Sequence, residues 1–195
     1  PEPMQGNLDR AQALLAEEFM GVTTDGRIVP GLYTLQKTGL SIDPIKNAAN
    51  TFLASLNAEQ KDTASFDVDS SVWRQWSNIH PFLMRHGAFL DELSPAQQDN
   101  AMALLKESLS PTGYQTARDI MRLNESILEI TGKTDEYGEW LYWMSMMGTP
   151  SSDEPWGWQI DGHHLIINYF MVNGRAVMSP VFMGSEPIDA DVGKY

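Results

Sequence analysis

The chain has 195 residues and no cysteine. Disulfide bridges, thiolate zinc sites, thiol nucleophiles and cysteine-held iron–sulfur clusters are therefore excluded. Basic residues are scarce, with 13 Lys and Arg against 26 Asp and Glu and a formal net charge of −13. Nucleic acid and anionic lipid both recruit a basic footprint, so neither is expected as the main partner. No stretch approaches the ~20 apolar residues of a membrane-spanning helix. The longest apolar run, Leu165 to Val172, is broken by Asn168. The P-loop, the nucleophile elbow G-x-S-x-G, the dinucleotide-binding glycine triplet and H-E-x-x-H are all missing. Asp67-Val68-Asp69 opens like a calcium loop but lacks the glycine and distal glutamate that would complete it. No signal peptide is visible, but the chain begins at Pro1, which implies that a preceding segment has been removed. Location stays open on these grounds, with an extracytoplasmic one slightly favoured.

What is present is enough for a real core. Hydrophobic residues make up 42% and aromatics 10%, which separates this chain from a disordered one. Residues 7–20 have the spacing of an amphipathic helix, with Leu8, Leu15 and Phe19 on one face. Residues 21–42 are rich in glycine and proline and read as a loop or extended arm, with a short strand around Leu32–Leu35. Asp43-Pro44 starts a helix, with Asp43 as its N-cap, and Asn57 with Gln60 forms a capping box for a second, short one. Residues 66–82 look extended, ending near Pro81, and 83–93 look like loop. Ser94-Pro95 and Ser110-Pro111 start two more helices, the second closed by Gly132. Trp140 to Met147 reads as core. His163 to Val172, Asn173-Gly174 and Arg175 to Met183 read as strand, type-I′ turn and strand. Apolar residues on both faces of the first strand place it centrally, under cover on both sides. The expectation is an α+β domain: N-terminal helices, then an antiparallel sheet with a central hairpin at about 163–184. Residues 1–42 form a helix and arm, and 43–195 the α+β unit.

Residues 148–164 hold the densest set of chemically useful side chains: Glu154, Trp156, Trp158, Asp161, His163 and His164, interleaved with Gly148, Gly157 and Gly162. Glycine permits tight backbone paths and aromatics make walls, so this segment reads as a functional loop. His163 and His164 are candidate catalytic residues and metal ligands. Asp161 is a candidate acid that orients one imidazole, although a turn aspartate before glycine explains it as well. Trp156, Trp158 and Glu154 are candidate ligand contacts, with core packing the commoner role for the tryptophans. Adjacent strand residues point to opposite faces, so both histidines can meet one divalent metal only if a bulge at Gly162 re-aims one of them. His80 and His86 match no spacing of known meaning. Asn124-Glu125-Ser126 matches a glycosylation acceptor but falls inside a helix.

The segment Gly148 to Ser151, Pro155 to Trp158, Gly162 to Leu165 and Phe182 to Pro187 resembles the bacterial family catalogued as domain of unknown function 3500. Ala48 to Leu56 and Ser110 to Leu123 are similar to two helices of that family, so the resemblance spans about residues 44–187. The chain departs from the family pattern at Asn124, where the pattern is acidic, and at Met146-Met147, where it tends to Ile-Phe. The family has no assigned activity. The resemblance implies a longer protein, of which this would be the N-terminal portion, its remainder supplied as missing chain or as a second chain.

Three functions fit these residues. One is a metal-assisted enzyme, hydrolytic or oxidative, built on His163 or His164 with Trp156-Gly157-Trp158 as a wall and further ligands from outside this chain. Another is a non-catalytic module that binds a small molecule or sugar. The third is the structural half of a two-part fold.

Overall fold

Helix starts in this chain are written by serine and asparagine caps. In the computed structural model, which describes residues 2–21, 23, 25–32, 39, 41–78 and 85–187, Asn57 and Ser94 each form a complete capping box, with Gln60 and Gln97. They start α3 (Ala58–Ala64) and α4 (Pro95–Ser108). Ser110 caps α5 (Pro111–Thr131), which Gly132 closes at φ 69°. Each such cap is worth about 1 kcal/mol. The helix α2 (Asp43–Ser55) begins one residue earlier than expected. Ile42 is already near-helical at φ −89° and ψ −4°, so Asp43 is not the cap but a first-turn carboxylate. There it accepts from Lys46 Nζ at 2.8 Å, and that bond, with Ser41, holds its carboxyl below the usual range. The first helix, α1 (Glu2–Ala16), starts before the expected residue 7 and leaves Phe19 beyond its end. Arg74 terminates it, with its guanidinium donating to the carbonyls of Leu14 at 3.0 Å and Glu17 at 3.3 Å. The strand expected at Leu32–Leu35 falls, from residue 33 on, outside the described residues, as do His80 and Pro81.

The sheet has six strands: β1 (Ser65–Phe66), β2 (Ala88–Phe89), β3 (Tyr142–Met147), β4 (Trp156–Gly162), β5 (Leu165–Val172) and β6 (Arg175–Met183). β3 to β6 form an antiparallel meander in sequence order. The outer edge of β3 is covered by β1, which runs parallel to it, and by β2, which runs antiparallel. The domain is α+β, and the parallel β1 makes the sheet mixed rather than purely antiparallel. The Asn173-Gly174 turn has both residues at positive φ, 49° and 68°, as a type-I′ turn requires.

Residues 156–162 are not a glycine-rich loop but a fully buried strand. Residues 88–92 are a short strand followed by a 3-10 turn rather than loop.

The sheet has two differently built faces. Trp156, Trp158 and Ile160 of β4, with Tyr142, Met144 and Met146 of β3 and Leu165, Ile167 and Tyr169 of β5, join Phe52, Leu104, Leu105 and Met121 of the helices in one apolar core. The opposite face carries Ser145, Gln159, Asp161 and Asn168, all buried. The chain between β1 and β2 contributes to its cover, and Trp73 lies against Phe170.

Candidate functional site

β4 and β5 are joined by a two-residue hairpin turn. Gly162 pairs with Leu165, and His163 and His164 occupy the turn. His164 sits at φ 59°, a left-handed conformation that costs an L-residue about 1–2 kcal/mol. Because neither histidine lies within a strand, the alternation rule does not separate them, and no bulge at Gly162 is needed. The turn brings the rings together at 4.2 Å between centroids, edge to face.

A third donor arrives from the end of β6. Glu186 Oε2 lies 3.1 Å from His164 Nε2 and 3.5 Å from His163 Nε2. One ligand atom from each of the three residues falls within 4.8 Å of the others. The His164–Glu186 contact is a hydrogen bond here, and both gaps fall within the roughly 3.0–3.5 Å that separates ligands held at ~2.0–2.2 Å around one ion. His163 is buried, His164 partly buried and Glu186 exposed, which leaves the cluster open on the glutamate side.

The tautomer of His163 is set by its neighbours. Asn124 Nδ2 donates to the Gly138 carbonyl at 2.8 Å, so Asn124 Oδ1 is the atom 3.0 Å from His163 Nδ1. An amide oxygen only accepts, so Nδ1 carries a hydrogen and Nε2 is the nitrogen that faces Glu186. The Tyr142 hydroxyl donates to the His163 carbonyl at 2.8 Å, and burial pushes its pKa far up, keeping it a donor. Tyr137 meets the His163 ring edge-on at 5.5 Å. Burial raises its hydroxyl pKa, and the nearby Glu136 and Glu186 charges raise it further. The loop carrying Tyr137 is gripped by α5: Glu125 accepts from the Glu139 amide at 2.9 Å, and Arg118 pairs with the Glu139 carboxylate. Gly184 donates its amide to the His164 carbonyl at 2.9 Å. A Cβ on Gly184 would stand 2.8 Å from His164 Nδ1, so glycine there lets the chain pass close beneath the imidazole on its way to Glu186.

The other expected residues are dispersed. Asp161 belongs to the face of β4 opposite the helices, where Oδ1 accepts from the Ser77 amide at 3.2 Å. The side chain that reaches the His163 imidazole is instead Asn124, from the helix side. Burial pushes the Asp161 carboxyl up to about 8 against two backbone hydrogen bonds that lower it. Trp156 and Trp158 are fully buried in the helix-facing core. Their indole N–H groups donate to Ser151 O at 2.8 Å and Ser108 Oγ at 3.2 Å, and Trp158 stacks on Tyr169. Glu154 is exposed in the turn before β4, so the strand length of ~20 Å separates it from the histidines. It borders a wide cleft with Asp67, Asp69 and Gly148. His86 donates from Nε2 to Gln159 Oε1 at 2.7 Å, and burial lowers its pKa. Asn124 is buried, which removes it as a glycosylation acceptor.

Glu186, Asn124, Tyr137 and Gly184 were not picked out as site residues from the sequence. Glu186 had a usable signal. Pairing Leu165 with Met183 in the hairpin puts residues just past 183 beside the turn at 163–164.

Fold and site together define an α+β domain with a helical layer over a mixed sheet and an open cluster in which Glu186 meets the two histidines of a hairpin turn. The chain belongs to the family described as Protein of unknown function (DUF3500), which matches it over residues 38–195. That span contains all three donors and Asn124, and α1 lies before it. No curated protein and no solved structure matches the chain.

Proposed function

We propose that this domain is a metal-assisted enzyme whose centre is His163 Nε2, His164 Nε2 and the Glu186 carboxylate. The observation that carries the reading is the convergence of these three donors within 4.8 Å. Three protein ligands with open positions distinguish a catalytic from a closed structural site. Two imidazoles and one carboxylate suit zinc in hydrolysis or ferrous iron in oxidation. All three ligands come from this chain, in place of the outside ligands expected from the sequence. A divalent ion held here supplies Lewis acidity to a bound water or substrate oxygen. The protein's part is to present Nε2 of His163 through Asn124, to hold the turn through Tyr142 and to shield one side with Tyr137.

The test is calorimetric titration of metal-free protein with zinc and, anaerobically, ferrous iron. The reading expects one equivalent bound. His164→Asn, which suits the left-handed φ, and Glu186→Gln should each weaken binding at least a hundredfold with folding intact. The loaded protein should turn over members of an ester, amide and oxidisable substrate panel, and Glu186→Gln should not. Metal that binds equally well to both variants would remove the proposal.

A further inference from the structure

On the sheet face away from the helical core lies a cavity of about 890 Å³. Its floor is β5 and β6, one wall is the chain at 68–76, and α1 forms the cover. We infer that this cavity is a binding site for a neutral, ring-containing apolar molecule bearing one hydrogen-bond acceptor. The volume lies within the roughly 300–1,000 Å³ of small-molecule sites. Trp73, Trp76, Phe170 and Phe19 line it, and flat aromatic walls of this kind suit a ring.

Beside Asp69, Ser70, Ser71 and Ser179 of the lining, one polar group comes from the floor. Asn168 lines the cavity and is 2% exposed. Its Oδ1 accepts from Gln159 Nε2 at 2.6 Å, and its Nδ2 donates to the Pro180 carbonyl at 3.1 Å. The amide orientation is forced, because Gln159 Nε2 also donates to the Trp73 carbonyl at 3.3 Å and Pro180 O can only accept. One N–H of Asn168 is thus used, which leaves the second N–H of the same amide for a ligand acceptor. The pairing of β5 with β6 slips at this point, Ile167 standing opposite Val181 and Tyr169 opposite Met178. Such irregularities re-aim side chains beside sites.

The cover is attached by few contacts. Arg74 holds the end of α1 by its carbonyls and lies over the Phe19 ring at 5.3 Å. Its guanidinium is therefore engaged by the cover, which is why the ligand is neutral and not an anion. Leu14 and Phe19 remain 55% and 69% exposed, apolar surface that an occupant of the cavity would help to bury.

The probe is the neutral dye 6-propionyl-2-(dimethylamino)naphthalene, which carries a ring system and one carbonyl. Titration should give one saturable site with blue-shifted emission and quenched tryptophan fluorescence. Ala11→Trp, which fills the cavity from α1, should weaken binding at least tenfold while the thermal midpoint stays near that of the parent. Dimethylaminonaphthalene without the carbonyl should bind at least fivefold more weakly. Glu186→Gln should leave dye binding unchanged, keeping this site separate from the metal centre. Non-saturating binding, or equal binding to Ala11→Trp, would overturn the site, and equal affinity for the two dyes would overturn the role of Asn168.

Discussion

Asn124 decides which nitrogen of His163 faces Glu186, and it does so with a side chain anchored to the Gly138 carbonyl. Asn124→Ala removes that constraint without touching a ligand. Metal affinity is expected to fall 10–100-fold in calorimetry, with a smaller fall for Asn124→Asp, which still accepts from Nδ1. The resemblance led to an acidic residue here. The structure has an amide there, whose oxygen receives the His163 Nδ1 hydrogen.

Asp161 gives a separate, pH-resolved prediction. Its carboxyl is pushed up to about 8 by burial, against ~3.9 in an unfolded chain. Between those values the folded protein keeps a proton that the unfolded chain has released, so stability falls as pH rises from about 4 to about 8. Below about 4 both states are protonated and the contribution is level. Asp161→Asn keeps an oxygen for the Ser77 amide and removes the slope. It should exceed the parent by on the order of 5 kcal/mol at pH 8 and converge with it at pH 4. His86, whose lowered pKa acts in the opposite direction, is the same in both proteins and cancels. Denaturant midpoints across this range check the prediction, and parallel curves for the two proteins would refute it.

At the scale of elements, β4 and its turn carry the account. Its sequence reads as a loop because of Gly157 and Gly162, yet both glycines serve close packing. A Cβ on Gly157 would stand 2.7 Å from the Trp73 ring, and one on Gly162 would stand 2.2 Å from the Tyr142 ring. Glycine in a strand thus marks close approach, which composition cannot distinguish from a turn. The capped helices and the 165–183 hairpin were legible because their signals are local: serine caps, proline at the first turn, Asn-Gly between apolar strands. The donor set was legible in its two histidines and not in its third member, since Glu186 joins them only through hairpin register. The tryptophans of β4 belong to the core. Trp158→Ala should cost about 3–5 kcal/mol in chemical denaturation. Trp158→Phe should cost less and leave metal affinity within twofold of the parent. A large loss of affinity in Trp158→Phe would show that the indole belongs to the site.

At the scale of the molecule, the sheet separates two chemistries. The His163–His164–Glu186 cluster proposed as the metal centre stands at one end of the β4–β5 hairpin, with Asn124 of the helical layer behind it, and the apolar cavity lies on the opposite face under α1. No helix among the described residues is long and apolar enough to cross a membrane. An ion that binds the folded hairpin and not the unfolded chain should, at a free concentration a hundred times its dissociation constant, add about 2.7 kcal/mol of stability. The central claim is that one divalent ion is held by His163, His164 and Glu186. Its most direct test is titration of the metal-free protein with cobalt(II), read by visible absorption, beside His164→Asn and Glu186→Gln. The account predicts ligand-field bands that saturate at one equivalent in the parent and are lost in both variants. Bands that persist unchanged in the variants, or no bands in the parent, would contradict it.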